Sequence, residues 1–347
     1  MTSAAPSELR LGIVGLDTSH VVVFCDAFNN PASPHALPGA RVVAAWPGGS
    51  PDLPASIDTV PHYTAELRDK FGVAILGNIE AVVAASDAIL LTSLDGRVHR
   101  GQFERIAPSG KPVFIDKPFA TSSADAQAIF ATARRHRARI FTSSSLRFSE
   151  AITRVVTPAV RSSVAGADFC GPVAHEPTNP GFFWYGIHPV EMLYTAMGRG
   201  CRAVRCVSGP AYDLATGIWA DGRIGTVRGN RTGNNDYYGL VHFEKNSVAI
   251  NVQAEPKWFF ASLAEAILAF LRGGPEPVAP EETLELIRFI EAANESAAHA
   301  PWPAARPAYT GGSGRFCCAG SRIAHRFCFG MHTFELHYWN CFHTIRV

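Results

Sequence analysis

The residues best placed to do chemistry are Asp116-Lys117-Pro118, reached through the apolar run Pro112-Val113-Phe114-Ile115. An ammonium at the end of a buried strand, between an acid and a proline, loses solvent. Desolvation lowers its pKa toward the range in which it passes protons. A lysine that merely ends a strand in water is the plainer alternative. The second chemical feature is the first loop, Gly12 to His20. A dinucleotide-binding loop needs glycines where the chain turns, approaches a pyrophosphate and packs the next helix. Gly15 answers to the first of these, and Thr18 and Ser19 bring hydroxyls that either cap the helix or donate to phosphate. The third feature is Asn179 with Phe182, Phe183, Trp184 and Tyr185, an aromatic surface suited to stacking on a sugar or ring. An aromatic core cluster accounts for that surface nearly as well.

Strand and helix must alternate for these groups to meet, and over the first 145 residues they do. Strand-like runs at Leu11 to Leu16, Ala40 to Trp46, Ala74 to Leu76, Asp87 to Thr92, Pro112 to Ile115 and Ile140 to Ser144 are separated by helical segments. The pattern predicts a right-handed, doubly wound parallel sheet whose ligand crevice lies at the strands' carboxyl ends. Gly15, Thr92 to Asp95 and Asp116-Lys117 all follow strands and should converge there. From 146 to 305 the texture is α+β. Ala151 to Val160 and Pro189 to Met197 read as helices. Five alternating runs between Ala203 and Val252 predict an open, mostly antiparallel sheet, and the helices Phe260 to Leu271 and Pro280 to Ala297 follow.

Composition narrows the class. The 347 residues are 47% hydrophobic and 18% charged with a formal net charge of +1, which gives no reason to expect nucleic acid or an anionic membrane as partner. No signal-peptide core and no run of 18 apolar residues is found, so the expectation is a cytoplasmic protein with a small-molecule substrate. Cys25, Cys170, Cys201 and Cys206 are scattered without CxxC spacing and read as reduced thiols. No His/Asp/Glu cluster with ligand spacing occurs before residue 306, so no metal is expected. The stretch 306–347 differs: it holds Cys317, Cys318, Cys328 and Cys341, with Glu335 as its one acid. Cys328, His332, His337 and Cys341 are ligand-type residues, but their spacings fit no standard zinc finger. The stretch reads as foreign to the fold.

Together these segments resemble the Gfo/Idh/MocA oxidoreductases, which include glucose-fructose oxidoreductase and inositol dehydrogenase. The resemblance covers roughly residues 9 to 298. Its most specific piece is Gly110-Lys111-Pro112-Val113-Phe114-Ile115-Asp116-Lys117-Pro118, similar to the family's GKxVxxEKP with Asp for Glu. Arg147-Phe148 and Gly186-Ile187-His188, with Glu191 beyond, match further family patterns. The resemblance implies a Rossmann-type dinucleotide-binding domain followed by a substrate and oligomerisation domain, and a homo-oligomer. It implies that Lys117 lies beside the nicotinamide and substrate hydroxyl, and that His188 relays the proton as hydride leaves carbon. Cofactor contacts would come from Gly15, Asp17, Thr18, Ser19, His20, Ser93, Asp95, His99, Asp116 and Pro118, and substrate contacts from Arg147, Trp184 and Tyr185.

Three departures fall on functional positions. Aligned on the family, Asp17 and His20 stand at the second and third glycines, and Trp184 stands where many relatives have Asp. Asp17 would repel phosphate unless it turns away as a helix cap. The second strand ends Ala45-Trp46-Pro47 without the acid that grips the ribose diol, which leaves NAD or NADP as cofactor with NADP mildly favoured. The leading expectation is a nicotinamide-dependent oxidoreductase acting on a hydroxyl of a sugar, polyol or similar molecule. The alternative is a non-redox binding or regulatory protein that kept the fold but lost productive cofactor binding. Truncation at about residue 305 should leave folding and activity intact; loss of soluble protein on truncation would contradict the reading of 306–347.

Overall fold

The computed structural model describes residues 8–299; the expectations for the stretch 306–347 lie outside the described residues. The first half is built from short runs buried on both faces, as strands covered by helices on either side must be. In chain order these are β1 (Leu9–Val14), α1 (His20–Asn29), β2 (Ala40–Trp46), α2 (Pro54–Ile57), α3 (Val60–Phe71), β3 (Ala74–Ile75), α4 (Ile79–Ala85), β4 (Ala88–Leu91), α5 (His99–Ile106), β5 (Val113–Ile115), α6 (Ser123–His136) and β6 (Ile140–Thr142). The strands form one parallel sheet in the order β3-β2-β1-β4-β5-β6. Strand order reverses between β1 and β4, so the ligand crevice of such a sheet opens beside the loops that follow those two strands.

The second half adds α7 (Glu150–Thr153), β7 (Val164–Pro172), α8 (Ile187–Met197), β8 (Cys201–Ser208), β9 (Tyr212–Trp219), β10 (Ile224–Asn230), β11 (Tyr238–Phe243), β12 (Ser247–Asn251), α9 (Phe259–Leu271) and α10 (Pro280–His299). Its sheet runs β12-β11-β7-β10-β9-β8. Only β7 and β10 pair in parallel, and the other neighbours are antiparallel. Both sheets therefore match the expected fold class. Two local expectations fail. The helix expected over Ala151 to Val160 stops at Thr153, before Thr157-Pro158, because the residue preceding a proline disfavours the α conformation. The long central strand β7 has no counterpart in the sequence reading. Its composition, Val-Ala-Gly-Ala-Asp-Phe-Cys-Gly-Pro, has too few branched or aromatic residues to signal a strand. Glycine is there for clearance: a Cβ on Gly166 would lie 2.8 Å from the Ile224 carbonyl oxygen of β10.

Two helices tie the halves together. Every residue of α8 is buried, as a helix apolar all round must be, and it shares one core with β4, β5 and the inner face of the second sheet. Late in the chain, α9 returns to the parallel sheet. Its Leu263, Ile267, Phe270 and Leu271 join the cluster of β1, α1 and β2, with Phe270 edge-on to Phe141 at 4.8 Å. The Arg139 guanidinium lies 4.6 Å from the Phe270 ring. Phe270→Ala should therefore cost about 3–5 kcal/mol of unfolding free energy, measured by urea denaturation. A loss under about 1 kcal/mol would show that α9 is not part of the parallel-sheet core.

Candidate active site

Asp116 and Lys117 leave β5 at the carboxyl end of the parallel sheet, and the structure buries both, at 2% and 9% exposure. One Asp116 carboxylate oxygen accepts the Lys117 backbone N–H at 2.7 Å, and the other pairs with His20 Nδ1. The Lys117–Pro118 peptide is cis. Upstream, the Lys111 ammonium donates to the Val83 and Ser86 carbonyls, the latter at 2.6 Å. Lys111 thus finishes the end of α4, a structural task, while Lys117 remains for chemistry. The Lys117 ammonium lies 5.7 Å from the centre of the Tyr185 ring, within cation–π range.

His188, in the first turn of α8, comes to the same place. Its ring is 6.3 Å from that of Tyr185 and 5.5 Å from that of Tyr237. Its Nδ1 meets the Ser144 hydroxyl at 2.6 Å. Tyr185 takes a left-handed backbone conformation (φ 60°), and at 45% exposure it is the open member of the group. Burial pushes the His188 pKa well below its ordinary value, and the nearby Lys117 and His20 push the same way. Burial also lowers Lys117, against the pull of Asp116 and Asp17. For Asp116, burial alone would raise the carboxyl; His20 and Lys117 outweigh it and hold the group below its ordinary value. A neutral imidazole and a lysine that deprotonates easily, side by side, can accept and deliver a hydroxyl proton.

The first loop holds its polar groups in an unforeseen way. Gly15 has φ 93°, and a Cβ there would lie 2.5 Å from the Ser93 backbone nitrogen, so glycine is required where β1 and β4 diverge. Asp17, 1% exposed, is turned into the protein: it accepts the Leu94 N–H at 3.0 Å and the Ser56 hydroxyl at 2.5 Å. It neither caps α1 nor points its carboxylate into water. Burial raises its pKa, and the hydrogen bonds from Ser56 and Leu94 oppose that shift. Ser19 stands at the N-cap of α1, but its exposed hydroxyl makes no capping bond, and Thr18 Oγ1 accepts only the His20 N–H at 3.4 Å. The positive end of the α1 dipole thus takes only the long Thr18 bond from side chains, and the Ser19 hydroxyl is left exposed there. With Asp17 folded away, that end fits the diphosphate of a dinucleotide.

Other candidates spend their polar atoms on the protein. The Ser93 hydroxyl donates to Gln102 at 2.8 Å, and the His99 ring lies between the Ser93 carbonyl at 2.8 Å and the Phe119 carbonyl at 3.2 Å. Asp95, fully buried, is held by Arg97 at 2.7 Å and by the Asn179 amide at 3.1 Å. Arg147, expected to meet substrate, is buried between Glu191 at 2.7 Å and Glu282 at 2.6 Å, with its Nη2 making no hydrogen bond to the described residues. Those carboxylates outweigh burial and keep its pKa raised. Trp184 is buried with its ring edge-on to Tyr185 at 5.6 Å. The sequence reading missed Ser144, Tyr237 and Glu282. Ser144 could have been found, since Ser143-Ser144-Ser145 directly follows a strand at the same sheet end. Among the described residues, no group of three or more His, Cys, Asp or Glu could hold a metal.

Residues 10–144 match the family GFO_IDH_MocA, described as "Oxidoreductase family, NAD-binding Rossmann fold". Inositol 2-dehydrogenase of Cereibacter sphaeroides (strain ATCC 17029 / ATH 2.4.9) is 45% identical over 58 residues, and the chain spans 17% of that relative's length. Among solved structures, scyllo-inositol dehydrogenase from Lactobacillus casei with bound NAD(H) and scyllo-inositol has a TM-score of 0.69 at 14% identity, covering 84% of this chain and 98% of that one. Myo-inositol 2-dehydrogenase from Lactobacillus plantarum has a TM-score of 0.69 at 15% identity with the same coverage. An oxidoreductase from Agrobacterium radiobacter in complex with NAD+, L-tartaric acid and magnesium gives 0.64 at 17% identity, covering 84% and 97%. At such identities the likeness shows the fold, and it agrees with the resemblance read from the motifs.

Arg147→Met would leave Glu191 and Glu282 facing each other in the core. The expected loss of stability is on the order of 3–5 kcal/mol by chemical denaturation; a variant as stable as the parent would contradict this account of Arg147.

Proposed function

We propose that this chain, whose residues 10–144 match the Gfo/Idh/MocA oxidoreductases, is a nicotinamide-dependent oxidoreductase acting on a hydroxyl of a sugar, polyol or similar small molecule. The observation that carries the proposal is the meeting of Lys117 and His188 around the exposed face of Tyr185. They meet at the sheet end where α1 begins, with the N-cap Ser19 hydroxyl exposed and making no capping bond. Gly15, Thr18 and Ser19 would hold the diphosphate, and a nicotinamide bound there supplies the hydride acceptor. His188, neutral at working pH, takes the hydroxyl proton. Lys117 orients the substrate oxygen by its charge, and Tyr185 supplies a ring face for a cyclic substrate. The structurally similar scyllo-inositol dehydrogenase, solved with NAD(H) and scyllo-inositol, supports this class of substrate. NAD follows from the family description, and the missing acid after β2 leaves NADP open.

A homo-oligomer belongs to the same proposal, because the outer face of the second sheet exposes Tyr212, Leu214, Ile218, Ile224, Tyr238 and Leu240. The free Cys25, Cys170, Cys201 and Cys206 suit a reducing cytoplasm. Among the described residues, no helix is long and apolar enough to cross a membrane. A second reading, a non-redox binding or regulatory protein on the same fold, is favoured by one observation: α1 begins with the bulky side chain of His20 where a dinucleotide loop has its third glycine.

A panel of polyols and sugars tested with NAD and NADP, followed by nicotinamide absorbance, decides between the two. Turnover that falls about 10²–10⁴-fold in Lys117→Ala is expected; no turnover with any pair favours the second reading, and an undiminished variant would contradict the role given to Lys117. The pH profile of kcat/KM for oxidation follows from the two lowered pKa values. The His188 base form persists as pH falls, so the acid limb should lie below the ordinary imidazole value of about 6.5. Lys117 loses its charge early as pH rises, so the alkaline limb should lie below about 10.4. Limbs at or above those values would contradict the assignment.

A further inference from the structure

His20 stands where the third glycine of a dinucleotide loop would be, yet its side chain takes no part in that loop's surface. It is the first residue of α1, 7% exposed, and its imidazole reaches across the sheet end to the Asp116 carboxylate. Two rings fix its plane: Phe260 of α9, edge-on at 4.7 Å, and Phe24 of α1 at 6.4 Å. Asp116 has no freedom left, since its other oxygen accepts the Lys117 backbone N–H. A carboxylate held on both oxygens presents a fixed charge at a fixed place.

We propose that His20 is a positioning residue for Lys117, acting through Asp116, and that this inference rests on the oxidoreductase reading of the site. The hydrogen bond from Nδ1 locks the carboxylate and withdraws part of its negative charge from the lysine. Lys117 is thereby kept in place beside Tyr185 and is easier to deprotonate than a lysine facing a free carboxylate. The charged and titratable groups around the dyad are few. Asp116 and Lys117 come from the β5 turn, His188 from α8, and Asp17 from the loop before α1. The α9 side presents Phe260. From the β4 side, His99 lies between two carbonyls and Asp95 is bound to Arg97. Among the described residues, Asp116 is thus the one carboxylate bonded both to His20 and to the turn that carries Lys117.

The test compares His20→Phe, which keeps a packed ring but removes the bond, with His20→Asn, whose amide can still donate to Asp116. In His20→Phe, kcat should fall about 100-fold with KM within about twofold, and the alkaline limb of kcat/KM should move to higher pH. His20→Asn should restore most of the rate and bring the limb back. A second readout needs neither turnover nor cofactor: titration of the Lys117 Nζ by nitrogen NMR in the free chain. It should show Lys117 deprotonating at higher pH in His20→Phe and near the parent value in His20→Asn. Should His20→Phe not fold, His20→Ala, which removes the same bond with a smaller side chain, takes its place in the NMR comparison. An unmoved Lys117 titration in a folded variant that lacks the bond would overturn the proposal. Absence of turnover from the parent would count against the oxidoreductase reading alone and leave the NMR result to judge His20.

Discussion

The site depends on keeping a lysine out of water. Burying an ammonium is costly unless opposite charge and polarisable groups replace its hydration. Here the replacement comes from Asp116, fixed through both oxygens, and from the Tyr185 ring. The first helix, the β5 turn and the aromatic segment before α8 must all be in place for Lys117 to sit as it does. Remove any one, and Lys117 would lose its place beside Tyr185.

That requirement explains why distant segments meet at one sheet end. The parallel sheet brings the first helix and the β5 turn together because strand order reverses between β1 and β4. The second sheet supplies α8, buried along its whole length and carrying His188. Asp17 ties the first loop to the β4 loop and to α2, while Asp95 ties the β4 loop to Asn179 of the second half. These buried carboxylates act as joints between loops. They leave the solvent-facing end of α1, with Ser19, as the place open to an anionic ligand.

Much of this was legible in the sequence, for identifiable reasons. The parallel strands are short uninterrupted apolar runs such as Ala88–Leu91, so their position and burial could be read directly. Lys117 and His188 were singled out by motif, and the structure places both at Tyr185. What sequence hid was direction. Asp17 looked like a charge facing phosphate because a pattern cannot show that Leu94 and Ser56, 77 and 39 positions away, will bind it. The ion pairs of Arg147 could not be read because its carboxylate partners, Glu191 and Glu282, lie far along the chain. His20 read as a missing glycine, and its bond to Asp116 spans 96 residues. Strand β7 stayed hidden because small residues, chosen for close strand packing, carry no strand signal.

The central claim is that the end of α1 and the Lys117 turn form one cofactor crevice. Calorimetric titration of the whole chain with NAD and with NADP tests it most directly. The account predicts saturable binding of at least one dinucleotide with a Kd at or below about 1 mM. It also predicts that Lys117→Ala still binds, since the diphosphate is held at the helix end and not by the lysine. No heat from either dinucleotide well above that concentration, from a folded chain, would contradict it.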